Sequence, residues 1–136
     1  MDGFTLVELL IVVVILGILI GISVPSYQNY LEKFQIKQAI AACQQLAAAE
    51  NAYHLETGNW ELFVYNAALA TKQACFQNLS LDFAQFDNAD WQYGFQDPGA
   101  LGGPVAYAVR RRGVHRTKYV YIDPSQVGAG GDHPLL

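Results

Sequence analysis

From Phe4 to Val24 the chain carries a single charge, Glu8, in an otherwise almost wholly apolar run. At about 1.5 Å of rise per residue, such a run makes a helix roughly 30 Å long, the thickness of a bilayer's hydrocarbon core. A membrane span is therefore the first constraint on what the chain can fold into. A cleaved secretory signal peptide fits less well. No Lys or Arg precedes the run, the run exceeds an ordinary signal h-region, and no small-x-small site follows it. Glu8 is the anomaly, because a carboxylate inside a bilayer-length helix costs about 2.5–3.5 kcal/mol on insertion scales and marks a functional residue by default. It lies one helical turn after Phe4, on the same face. The helix offers no Lys or Arg to neutralise it. The natural partner is a new amino terminus near Phe4.

The hexapeptide Gly3-Phe4-Thr5-Leu6-Val7-Glu8, followed by the apolar run and Pro25, resembles the processing motif of type IV pilins and of the related pseudopilins of type II secretion. The motif is specific and covers about the first 25 residues. The resemblance implies that a prepilin peptidase cleaves between Gly3 and Phe4 and that the Phe4 amine is then methylated. It implies that Glu8 pairs with the amine of an adjacent subunit during assembly. Electrostatics agrees, since a carboxylate and an ammonium that meet in low dielectric relieve two desolvation penalties together. The implied life history is a single-pass inner-membrane protein that passes through an assembly platform into a homo-oligomeric helical filament, with minor pilins as further partners. The filament is either an extracellular pilus or a short periplasmic pseudopilus. No cofactor is implied. The sequence departs from the family in its leader, which reads Met-Asp-Gly with no basic residue. Lys33 and Lys37 beyond the span would, by a positive-inside count, place the C-terminal part in the cytoplasm. The expectation is that the leader is truncated at its start, with residues 1–3 its remnant.

Gly17 and Gly21 form a small-xxx-small pair that lets helices approach closely in lipid. With Pro25 they also mark a weak stretch of helix. In pilins this is where the helix can unwind locally, and an ordinary glycine-containing span with a proline at its exit reads the same way. Residues 26–57 continue the helix without Gly or Pro. Ile36, Ile40, Cys43, Leu46 and Ala47, with Tyr53 beyond, form one apolar stripe to carry a globular head. Gly58 is the expected left-handed cap. The reading is an α+β chain: a long N-terminal spine helix, transmembrane over 4–25 and amphipathic over 26–57, packed against a small antiparallel β-meander of three or four strands, the pilin fold.

About 110 residues follow the span, enough for one small domain. Residues 58–89 are a connecting region in which 61–72 suits a short helix. Residues 90–96, 105–109 and 118–122 alternate or concentrate aromatic and aliphatic residues in the manner of strands, giving a sheet within 90–123. From 124 to 136 the tail is rich in Gly and Pro and reads as irregular. Two cysteines in an exported chain suggest one disulfide, Cys43 to Cys75. Two free buried thiols are the alternative. The C-terminal disulfide loop usual in the family is absent.

No G-x-S-x-G, Walker loop or C-x-x-C occurs, so no catalytic residue is assigned. Asp123, Asp132 and His133 are the one set with the chemistry to cradle a cation, as some pseudopilins do with calcium. They lack a dense ligand pattern, and no metal site is assigned. Arg110, Arg111, Arg112, Arg116 and Lys118 hold five of the chain's eight basic residues, on one hairpin. They read as an electropositive knob for an anionic partner or as a solvated turn. A net charge of −4 weights subunit contact and solvation above DNA binding. The leading function is a structural pilus subunit. A type II secretion pseudopilin and a minor pilin of a DNA-uptake filament are the alternatives.

Overall fold

The computed structural model describes residues 3–99, 103–113, 115–122 and 129–132, with positions 25 and 26 described by backbone alone. It comprises two compact units, Met1–Gln35 and Ile36–Leu136.

The first unit is helical. Helix α1, Leu6–Thr57, begins there and stays helical through Gly17, Gly21 and position 25. Its start is fixed by a reciprocal capping box. The Thr5 N–H and hydroxyl both donate to Glu8 Oε2, at 2.9 and 2.7 Å, and the Glu8 N–H donates back to Thr5 Oγ1 at 3.3 Å. Further along, the Ser23 hydroxyl donates to the Leu19 carbonyl at 2.7 Å, satisfying itself within the helix. The large apolar side chains from Phe4 to Val24 are all exposed, between 51% and 89%.

In the second unit α1 is amphipathic, burying Ile36, Ala39, Cys43, Leu46 and Ala47. It ends at Thr57, where Gly58 turns the chain at φ +75° and donates to the His54 carbonyl at 2.8 Å. A ten-residue helix α2, Leu69–Asn78, and a single turn α3, Phe83–Phe86, precede the sheet. Strands β1 (Trp91–Gln96), β2 (Val105–Arg110), β3 (Tyr119–Ile122) and β4 (Ala129–Gly131) pair antiparallel in sequential order. The α+β architecture read from the sequence is what the structure has.

The inward face of the sheet follows the two-residue period of a strand. Trp91, Tyr93 and Phe95 on β1, Ala106 and Ala108 on β2, and Val120 and Ile122 on β3 share one core with the α1 stripe. Phe76 of α2 sits at the core's aromatic centre, with ring centroids 5.4 Å from Phe63, 5.3 Å from Phe83 and 4.8 Å from Phe86.

Two local expectations are corrected. The short helix expected at 61–72 starts later, at Leu69. Phe63 is drawn into an isolated antiparallel bridge with Phe95, exchanging backbone hydrogen bonds of 2.8 and 2.9 Å. The outer backbone groups of edge strand β1 need partners, and this requirement overrides the helical propensity of the segment. The tail read as irregular supplies β4. Its Ala-Gly-Gly sequence has little strand propensity of its own. The Tyr121 ring lies across its cross-strand partner Gly130, where an added Cβ would stand 2.5 Å from the ring. Tyr107 covers Gly94 in the same way. Aromatic cover of a glycine is a recognised means of pinning register, and here it compensates for the missing side chains of β4.

Candidate functional site

The first candidate region is the N-terminal end of α1. Phe4 is 89% exposed, immediately before the helix, and Gly3 is exposed beside it. Glu8 is the lone charge of the apolar face, and its carboxylate is bound to Thr5. It therefore has a second role that the sequence reading passed over. The Thr-x-x-Glu spacing before an apolar run was the available signal. Oε2 takes both Thr5 bonds, which leaves Oε1 with the capacity to accept from an ammonium. Gly17 and Gly21 have nothing within 4 Å of where a Cβ would be, so both present open backbone. Position 25 lies inside α1.

The second region is the core of the second unit. Cys43 and Cys75 are both buried there, as free thiols. This corrects the expected bridge. Buried cysteines behave as small apolar side chains, and burial pushes both thiols up from their ordinary range. A buried carboxylate was missed. Glu50 is 0% exposed on the stripe side of α1, seven residues after Cys43. Its Oε2 accepts from the Glu61 N–H at 3.1 Å, and Oε1 has no partner among the described residues. Burial pushes its carboxyl up to about 7, the Glu61 hydrogen bond opposing and the Glu61 charge adding to the shift. Its place on the helical stripe of Cys43 and Leu46 was the legible signal. One turn on, His54 stacks on Trp60 with ring centroids 4.1 Å apart.

The third region is the turn between β2 and β3, where the structure divides the five grouped basic residues. Arg110 is 7% exposed, because it continues the inward parity of Ala106 and Ala108. Its guanidinium lies 5.1 Å from the Trp91 ring, and its Nε donates to the Arg112 carbonyl at 3.0 Å. Lys118 is ion-paired with Asp132 at 3.1 Å. Arg111, Arg112 and Arg116 remain exposed. The electropositive knob read from the sequence is thereby narrowed, since Arg110 is buried and Lys118 is engaged by Asp132. Of the cation set, Asp132 is engaged with Lys118 and with the Tyr119 N–H, while Asp123 and His133 lie outside the described residues. Among the described residues no cluster of three His, Cys, Asp or Glu side chains could hold a metal.

Comparison with known proteins bears on the first region. The family model of the prokaryotic N-terminal methylation motif matches residues 2–24. A fimbrial protein of Neisseria meningitidis serogroup B is 39% identical over 69 residues, covering 51% of this chain and 41% of that protein. A type IV major pilin protein PilE1 of Neisseria gonorrhoeae is 41% identical over 58 residues, 43% of this chain and 35% of its own length. The type IV major fimbrial protein FimA of Dichelobacter nodosus is 47% identical over 47 residues, 35% of this chain and 30% of its own length. The match thus spans less than half the length of these curated relatives. No solved structure matches the chain.

Proposed function

We propose that the protein is a structural subunit of a type IV pilus, a reading supported by the N-terminal methylation motif matched at residues 2–24 and by the similarity of part of the chain to fimbrial proteins and type IV major pilins. The observation that carries the reading is the surface of α1 from Phe4 to Val24, apolar all round and exposed along its whole length, with Glu8 its sole charge. The described apolar side chains of that stretch are all exposed. Lipid covers it before assembly, and copies of the same helix cover it in the filament, through heterologous contacts that do not close. A prepilin peptidase cuts between Gly3 and Phe4, and the new Phe4 amine, methylated, meets Glu8 of a neighbour. Gly17 and Gly21 allow close helix approach. The relatives' names, major pilins and fimbrial proteins, favour a surface fibre over a periplasmic pseudopilus.

The test separates the two roles of Glu8. Glu8→Gln keeps a capping-box residue and loses the charge, whereas Thr5→Ala loses the cap and keeps the charge. Removing one member of a buried ion pair is strongly destabilising. Glu8→Gln is therefore expected to lower the yield of sheared filaments about tenfold or more, and Thr5→Ala to lower it far less. Equal yields from Glu8→Gln and the parent would remove the charge role. The intact mass of sheared filaments should lack Met1 to Gly3 and carry one added methyl group.

A further inference from the structure

All four arginines of the chain lie within the seven residues 110–116, although the chain is acidic overall. They do not simply splay into solvent. Together with Tyr65 and Gln92 they line an open recess of about 400 Å³ beside the β2–β3 turn. Its walls are held in place. The Tyr65 ring meets Tyr107 edge-on at 6.2 Å, and the Tyr65 N–H donates to the Tyr107 hydroxyl at 3.1 Å. Arg111 Nη1 donates to the Asn88 carbonyl at 3.2 Å, and its backbone N–H donates to the Asp90 carbonyl at 2.8 Å. Arg110, over Trp91, ties the turn through the Arg112 carbonyl.

None of Arg111, Arg112 and Arg116 has an ion pair among the described residues. The nearby acidic Asp132 is engaged with Lys118. Like charges gathered on a concave surface repel one another and raise the local concentration of anions. The choice of Arg is informative, because its planar fork grips a phosphate bidentately where Lys offers only a point charge. A single phosphate monoester carries about −1.5 to −2 charge at pH 7, which leaves one of three exposed guanidiniums uncompensated. Two linked phosphoryl groups match all three.

We propose that this recess is a binding site for a small diphosphate-class ligand, gripped by Arg111, Arg112 and Arg116 between the Tyr65 and Arg110 walls. The site does not depend on filament assembly, so it stands or falls separately from the pilus reading. The test is calorimetric titration of the full chain, unassembled in nonionic detergent, with sodium pyrophosphate at about 0.15 M salt, where exposed charges are screened beyond about 8 Å. One saturable site per chain is expected. Orthophosphate should bind at least about tenfold more weakly, the recess then losing one of two charged groups. Glycerol 3-phosphate stands in for a lipid headgroup; affinity equal to pyrophosphate would overturn the two-phosphate match in favour of a single headgroup phosphate.

The substitution Arg111→Lys with Arg112→Lys and Arg116→Lys keeps the charge and the exposed positions while removing the forks. It is expected to weaken pyrophosphate at least fivefold with an unchanged circular dichroism spectrum. The Lys33→Ala, Lys37→Ala pair, which removes charge elsewhere, should leave affinity unchanged. Absence of saturable binding, full affinity in the triple Lys variant, or equal weakening in the Lys33, Lys37 variant would each overturn the proposal.

Discussion

Helix α1 carries two kinds of apolar surface. From Leu6 to Val24 the apolar side chains point in every direction and all are exposed, whereas from Ile36 to Ala47 they form one stripe and that stripe is buried. The first kind is left exposed among the described residues. The second has a complete partner, in the aromatic face of β1 and the Phe76 cluster. An element that is apolar all round must take its surroundings from lipid or from other molecules. An amphipathic element is completed by its own chain. One helix can therefore serve assembly at one end and folding at the other, and substitutions in the two stretches should have separable effects.

The largest separation is expected between Phe95→Ala and Ile15→Ala. Phe95 is 0% exposed, and its removal should cost about 3–5 kcal/mol of folding stability. Ile15 is 51% exposed, and its removal should leave the unfolding transition of the second unit in place while reducing filament yield. Chemical denaturation of detergent-held subunits checks both. A loss of stability on Ile15→Ala comparable with that of Phe95→Ala would erase the distinction.

Glu50 sharpens the comparison, since it is a carboxylate placed where only the second unit can bury it. Its folded-state carboxyl, at about 7, stands above the ordinary 4.5. The unfolded chain then loses its proton first. Stability falls as pH rises from about 4.5 to about 7, by an amount on the order of 3 kcal/mol, and is level above that window. Glu50→Gln should flatten this slope and leave the variant more stable than the parent at pH 8. Urea midpoints between pH 4 and 8 read the effect directly, and parallel curves for the two proteins would refute it.

The smallest effect marks the boundary of the helix. Gly58 ends α1 at φ +75°, with nothing near the position of its missing Cβ. Gly58→Ala should cost about 1 kcal/mol, for the left-handed backbone alone. A neutral result would mean that the helix end is free to relax.

The sequence was legible wherever a pattern of residues is its own cause. The apolar run, the lone Glu8, the stripe from Ile36 to Ala47 and the helix stop at Gly58 follow from period and composition, and each is found in the structure. Three strands follow from aromatic and aliphatic content. The Thr5–Glu8 box and the buried Glu50 were equally legible as patterns. They were passed over because a carboxylate can be read for its charge while its hydrogen bonds are ignored.

What the tertiary structure alone decided depends on partners distant in sequence. The Ala-Gly-Gly segment becomes β4 because Tyr121 covers Gly130. Phe63 forsakes a helix because Phe95 offers an open backbone edge. The five basic residues part company because β2 turns Arg110 inward onto Trp91 and Asp132 claims Lys118, which leaves three guanidiniums at the mouth of a recess. Local propensity is a sum over neighbours in the chain. Burial and pairing are set by neighbours in space, and those exist only once the chain has folded.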